Sequence, residues 1–255
     1  GKAITIIMSG NTFGVSLGLP LMTFIGTHVG WRTEFIVLGV VVSLIGFLAL
    51  KYLPDVPGEK RSQQNSPFAV LQNKGVLIVL LLTFLSVMAH YGSYTYITLL
   101  VEKIAFVGGI SLALLLFGLG SVLSVVLSAK IIDTHLRGLI VAMLLLGVLS
   151  MLLFVFLGST NGWSHVAFFL WGIAFGPLVT MYQTAVSKQV EQAKAVATSV
   201  QSSVFNFSIM IATWLGGLIL INVPQLGVMG IVYLSIICFV PATVISYVAK
   251  RTLSS

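Results

Sequence analysis

Charge is what this chain has least of. Asp and Glu together number six, Lys and Arg thirteen, and charged residues make up 7% of the 255 positions, against roughly a quarter in an ordinary globular domain. Six carboxylates cannot wet a chain that is 58% hydrophobic with a mean hydropathy of +1.09, so a water-soluble fold is excluded and lipid is the solvent. The lone cysteine, Cys238, lies in the apolar run 235–240. That excludes a disulfide framework and a cysteine metal site. There is no phosphate-binding loop, no Gly-x-Ser-x-Gly and no His/Cys/carboxylate cluster at metal spacing, while His28, His135 and His165 stand singly near loops. Enzyme readings therefore lack their residues, and no cofactor is expected.

What the chain has instead is long apolar runs. Crossing about 30 Å of hydrocarbon takes about 20 residues of helix, and eight runs qualify: 3–27, 32–52, 75–100, 107–129, 137–157, 163–186, 195–222 and 225–249. None alternates with period two, so a β-barrel is excluded and helices satisfy the backbone. The third and seventh runs carry many Ser, Thr, Tyr, Gln and Asn residues, the pattern of helices facing a wet cavity on one side. The chain opens Gly1-Lys2 without a methionine and enters an apolar segment at once. That segment lacks the short apolar stretch and cleavage site of a signal peptide, and the chain is expected to be part of a longer protein.

Alternating the eight runs across a bilayer puts Lys2, Lys51, Lys60, Arg61, Lys74, Lys130, Arg137, Lys188, Lys194, Lys250 and Arg251 on one side. Only Arg32 and Lys103 fall on the other, beside Glu34 and Glu102. The asymmetry marks the first side as cytoplasmic. It also separates the net charge of +7 from nucleic-acid binding, because the basic residues are scattered in short loops rather than gathered on a face. The one long connection, 54–74, holds Pro54, Pro57, Gly58 and Pro67 around a polar run. It reads as a cytoplasmic linker, with the last two helices of one bundle before it (1–53) and a six-helix bundle after it (75–255).

The first run carries Gly10, Gly14 and Gly18 at four-residue spacing, then Pro20, Gly26, Gly30 and Arg32. Four residues advance a helix by about 400°, so the three glycines form one slowly drifting stripe that allows close backbone approach. The sequence Gly14-Val-Ser-Leu-Gly18-Leu-Pro20, followed by Gly30-Trp31-Arg32-x-x-Phe35, resembles the antiporter motif of helix five in the major facilitator superfamily. More narrowly it resembles the twelve-helix drug:proton antiporters, on the branch of bacterial arabinose, sugar and purine efflux proteins. Tyr94-Thr95-Tyr96-Ile97, Gly172-Ile-Ala-Phe-Gly176 with Gln183, and Val204-Phe205-Asn206-Phe207 with Gly216-Gly217 are similar to that branch's helices seven, ten and eleven. Met22 and Ser208 stand where the family usually has glycine.

The resemblance implies an all-α polytopic membrane protein with major-facilitator-type helical bundles, showing eight of an expected twelve transmembrane helices. Helices one to four would then be the missing amino-terminal part of the same protein. Lys130, Asp133 and Arg137 would be the loop motif between helices eight and nine. Asp133 and Arg137 either pair with each other or cap helix ends that shift during switching; as a solvated loop pair they would contribute under about 1 kcal/mol. A second small-residue stripe, Gly120, Ser124 and Ser128, would face helix five across the cleft between bundles.

Polar and aromatic groups at mid-membrane are the substrate candidates, because desolvating them requires a compensating role. His90, Tyr91 and Tyr94 share a helix face by three- and four-residue spacing, with Tyr96 less well placed. Gln183, Gln201 and Asn206 add neutral hydrogen-bonding groups and Trp171 an aromatic wall. Each has a plainer reading as well, since tyrosines form interfacial belts and Gln or Asn can simply join helices. No Asp or Glu falls within an apolar core, which leaves His90 as the one mid-span titratable group and favours a neutral or weakly charged substrate. The expectation is a proton-coupled efflux carrier of the bacterial inner membrane, monomeric at full length. Its partners would be the bilayer and a small-molecule substrate such as a sugar, nucleoside or drug, with the proton as coupling ion. The alternative is a non-coupled membrane component, such as the permease subunit of an ATP-driven complex.

Overall fold

In the computed structural model of the chain, residues 21–22, 25–26, 29–54, 66–160 and 162–253 are described. Two compact units divide it, 1–60 and 61–255. Helix α1 (Trp31–Tyr52) belongs to the first. It follows Gly30 at φ 109°, a backbone angle that side chains resist, and it carries Glu34 in its first turn and Lys51 in its last, each complementing the helix dipole. The expected span 3–27 lies almost wholly outside the described residues, as does most of the 54–74 connection.

The second unit begins with a short helix, α2 (Pro67–Leu71), whose amino end is capped by Ser66 Oγ accepting from the Ala69 amide at 3.1 Å. It is followed by α3 (Lys74–Thr95), α4 (Ile97–Lys103), α5 (Gly109–Ala129), α6 (Ile132–Leu157), α7 (Trp163–Phe175), α8 (Leu178–Lys188), α9 (Lys194–Asn222), α10 (Val228–Val248) and α11 (Lys250–Leu253). Among the described residues, the α7–α8 pair and the five longest of these helices, with α1, give seven stretches long and apolar enough to cross a membrane. Three expected spans are not single regular helices. The third breaks at Tyr96, the fifth starts earlier and kinks at His135, and the sixth breaks at Gly176-Pro177. Proline lacks the amide that would bond to the carbonyl four residues back, so the break at Pro177 follows from chemistry.

Packing runs through the unit from helix to helix. α5 lies along α7, α7 against α6, α6 against α10, α10 against α3 and α3 against α9, while α8 fills in against α9 and α3. The α5–α7 contact is made backbone to backbone. A Cβ placed on Gly120 would strike the Phe169 carbonyl, one on Gly172 the Phe117 carbonyl, and one on Gly176 the Ser121 main chain at 2.8 Å. Large fully buried side chains, Trp171, Tyr182, Phe154, Phe168 and Phe239 among them, fill the interior.

Hydroxyls of α3 join this packing. Ser86 meets Tyr182 at 2.7 Å, Ser93 meets Ser235 at 2.8 Å, and Ser235 also donates to the Ala89 carbonyl. These serines do not line a wet face, as the composition of the third run suggests. A buried hydroxyl in lipid needs a partner, and the neighbouring helix supplies it. At one end of the unit, Asn73 caps α3 through the Gly75 amide (2.8 Å) and donates to the Gln189 carbonyl (2.8 Å). Gln189 Nε2 in turn donates to the Thr252 carbonyl at 2.8 Å, and Leu253 is fully buried.

Candidate functional site

The densest chemistry in the second unit is an aromatic cage built around His90. The cage draws on four elements. α3 carries His90, Tyr91 and Tyr94 on one face, α5 brings Phe117, α7 brings Trp171 and Phe175, and α9 brings Phe205. The glycine seam between α5 and α7 is what lets Phe117 and Trp171 meet, at 5.4 Å between ring centroids. The imidazole of His90 stacks on Phe175 at 3.5 Å with 6° between planes, and Tyr94 and Phe117 lie nearly parallel to it at 5.1 and 5.6 Å. Trp171 and Tyr91 meet it edge-on at 5.4 and 4.8 Å. Phe205 reaches the cage through Tyr91 at 5.8 Å.

His90 is 3% exposed and Trp171 is fully buried. Among the described residues neither His90 Nδ1 nor Trp171 Nε1 has a hydrogen-bond partner. Tyr91 and Tyr94 are half-buried and edge the cage's accessible side. The break at Gly176-Pro177 follows directly after Phe175. Interrupted helices next to a midplane site are a recurrent feature of transporters.

The other expected site residues fall in different places. Gln183, one turn and a half beyond the break, is half-buried on α8. Gln201 is buried on α9, with its Nε2 3.5 Å from Thr83 Oγ1 and its Oε1 unpartnered. Asn206 is exposed and donates to the Ser202 carbonyl of its own helix at 2.9 Å. Tyr96 donates to the Thr213 carbonyl at 2.8 Å and lies against Gly216, outside the cage. Gly120 meets α7 within the second unit, while Ser124 and Ser128 are buried and donate to the Ser121 and Val125 carbonyls of their own helix.

Gly10, Gly14, Gly18 and Pro20 lie outside the described residues. A Cβ on Gly26 would meet Glu34 Oε2 at 2.7 Å, and the Arg32 guanidinium sits 4.5 Å over the Trp31 ring. Phe117, Phe175 and Phe205 are the cage members that sequence reasoning missed. An open groove of about 700 Å³ between α2 and the first half of α9 is lined mainly by apolar groups such as Leu71, Val200 and Phe207; among the described residues no buried unpartnered polar atom lines it.

In the 130–137 segment, Lys130 and Asp133 are exposed, and no ion pair joins Asp133 to Arg137 among the described residues. Arg137 instead reaches the end of α10, donating to the Ser246 carbonyl at 3.4 Å and to the Tyr247 carbonyl, with its guanidinium 5.5 Å over the Tyr247 ring. Of the two expected roles, the capping contact is the one present. The last carbonyls of a helix lack internal donors and carry partial negative charge. Exchanging Arg137 for Gln is therefore expected to weaken the final turn of α10 by about 1 kcal/mol. Hydrogen exchange of residues 243–253 should speed up accordingly, and Lys at 137 should restore part of the protection. Equal exchange in the Gln variant would show that the contact does not hold this turn.

A six-span helical bundle with an uncharged aromatic cage next to a broken helix defines a multi-pass α-helical membrane protein of the transporter kind. Among the described residues no group of His, Cys, Asp and Glu is placed to hold a metal. The model of the Major Facilitator Superfamily matches residues 1–213, and the chain belongs to that family. Its members are transporters, not enzymes.

Among curated proteins the chain is similar to the purine ribonucleoside efflux pump NepI of Salmonella paratyphi B (strain ATCC BAA-1250 / SPB7). They are 27% identical over 223 residues, 87% of this chain and 56% of that protein. The pumps of the same name from Escherichia coli (strain K12) and Shigella flexneri are each 27% identical over 224 residues, 87% of this chain and 57% of theirs. The chain thus spans little more than half the length of the curated relatives it matches.

Proposed function

We infer that the chain is part of a secondary transporter that exports a small, neutral, ring-bearing molecule in exchange for protons by alternating access. A purine ribonucleoside is the substrate best supported. The observation that carries this reading is the His90 cage. Six aromatic rings and an imidazole gather at one helix break, and none of the cage side chains is charged. Such a lining suits a flat, uncharged ring and supplies no counter-ion for an ionic substrate. The relatives' name points the same way.

Scarcity of basic residues on one side supports an orientation in the bacterial inner membrane with the 54–74 linker and the carboxyl terminus cytoplasmic. The proton serves as coupling ion with no further cofactor, and the working unit is a full-length monomer in the bilayer, with amino-terminal helices supplying the rest of the cavity wall. Downhill proton entry would drive substrate exit as one bundle rocks against the other.

The test is export of radiolabelled inosine from cells carrying the full-length protein, with ATP held constant. Export is expected to collapse when a protonophore is added. Export that survives the protonophore overturns the antiport reading, and absence of any inosine export overturns the substrate.

A further inference from the structure

The cage contains an occupant of its own. His90 is a flat nitrogen heterocycle stacked on Phe175 at 3.5 Å and nearly parallel to Tyr94 and Phe117. Among the described residues it is held there by rings: Nδ1 is buried without a partner, and so is Nε1 of the neighbouring Trp171. A buried polar atom without a partner is unfavourable. An imidazole that turned out past half-buried Tyr91 and Tyr94 would take Nδ1 out of its unpartnered position. It would leave behind a flat slot floored by Phe175, walled by Phe117 and Trp171, and equipped with one unused N–H.

We propose that this slot is a binding subsite for the planar heteroaromatic ring of the substrate, and that His90 is a tethered plug which the ring displaces. The inference rests on the reading above of a base-bearing substrate and adds the place where the base lies. Stacking on Phe175 replaces stacking of the imidazole, so the aromatic surface stays covered throughout the exchange. Trp171 Nε1 donates to a ring nitrogen or carbonyl of the incoming base, which gives the slot a preference for heterocycles over plain aromatic rings. His90 is then a specificity-setting residue: it lowers affinity for every ligand by the fraction of time it fills the slot. Facing it from its own helix are Tyr91 and Tyr94, from α5 Phe117, and from α7 Trp171 and Phe175. No charged group is among them.

The experiment compares equilibrium binding of inosine and of ribose to the purified full-length protein, for the native form, His90→Ala and Phe175→Leu. Removal of the plug is expected to tighten inosine binding by about tenfold while leaving ribose unchanged. Loss of the stacking floor in Phe175→Leu should weaken inosine binding by about tenfold, again without effect on ribose. Free imidazole should raise the melting temperature of His90→Ala more than that of the native protein, because only the variant holds the slot open.

Unchanged or weaker inosine binding by a folded His90→Ala overturns the plug. Should that variant fail to fold, equal inosine affinity in Phe175→Leu overturns the slot. If the native protein binds no inosine, the substrate reading falls first and the subsite with it. Native binding with unresponsive variants removes the subsite alone.

Discussion

Gly172→Leu is expected to leave little or no folded, monodisperse protein after extraction in mild detergent, whereas Gly118→Ala should raise the melting temperature. Both glycines lie in the α5–α7 region, yet their surroundings differ. A Cβ at Gly172 meets the carbonyl oxygen of Phe117, with the Phe117 Cα at 3.0 Å; these are main-chain atoms of another helix and cannot swing aside. A Cβ at Gly118 meets nothing within 4 Å. Overpacking of a dense interior typically costs about 1–3 kcal/mol even when side chains can adjust, and here the helices themselves must separate.

Separation would also pull Phe117 away from Trp171 and so open the cage. At Gly118 the added methyl meets nothing within 4 Å and only restricts the unfolded chain, a gain of roughly 0.5–1 kcal/mol in a helix interior. Gly120→Ala, placed against the Phe169 carbonyl, should lower the melting temperature by an intermediate amount. Size-exclusion profiles after heating would show the order Gly118→Ala, native, Gly120→Ala, Gly172→Leu; an unchanged melt for the last would show that α5 and α7 do not depend on this seam.

The seam illustrates which parts of the fold the sequence displays. Apolar length is a local property set by bilayer thickness, so seven of the eight expected spans, α1 among them, correspond to described helices or helix pairs within a few residues of their ends. The stripe Gly120, Ser124 and Ser128 is equally visible along the chain, but a stripe does not name the helix it meets. Gly172 and Gly176, at the same four-residue spacing on another span, were the available signal, since two glycine-rich faces can approach each other without side chains between them.

The cage is half legible for a similar reason. His90, Tyr91 and Tyr94 share a face of one helix and can be read from spacing alone. Phe117, Phe175 and Phe205 arrive from three other helices, and phenylalanine on a lipid-facing helix looks the same in sequence as phenylalanine in a cage. Polar residues mislead in the opposite direction. Ser86 and Ser93 suggest a wet face, yet each has a hydroxyl waiting on a neighbouring helix. Asn206 lies on an exposed face and satisfies itself within its own turn. Inter-helix register decides these cases, and it emerges only when the bundle is assembled.

Trp171 separates the packing role of the cage from its chemistry. Its indole is fully buried and lies within 6.3 Å, centroid to centroid, of His90, Tyr94, Phe117, Phe154 and Phe168, which come from α3, α5, α6 and α7. Trp171→Ala removes that common neighbour and leaves a cavity no nearby chain can fill. A loss of about 3–5 kcal/mol is expected, large against the whole stability of a typical domain. The melting temperature should fall steeply, and the export proposed above should be abolished.

Trp171→Phe is a different experiment. It keeps a ring in place and deletes Nε1, which has no partner in this conformation. Removing an unsatisfied buried donor relieves its desolvation penalty, about 1–3 kcal/mol, and offsets most of the lost indole volume. Its melting temperature should therefore stay near that of the native protein. Export of inosine should nevertheless fall by about tenfold if the N–H is used by the substrate, and remain unchanged if the indole serves only as packing. A Phe variant as unstable as the Ala variant would mean that Nε1 is satisfied in the native membrane, for instance by a trapped water, and that the cage is wetter than its rings suggest.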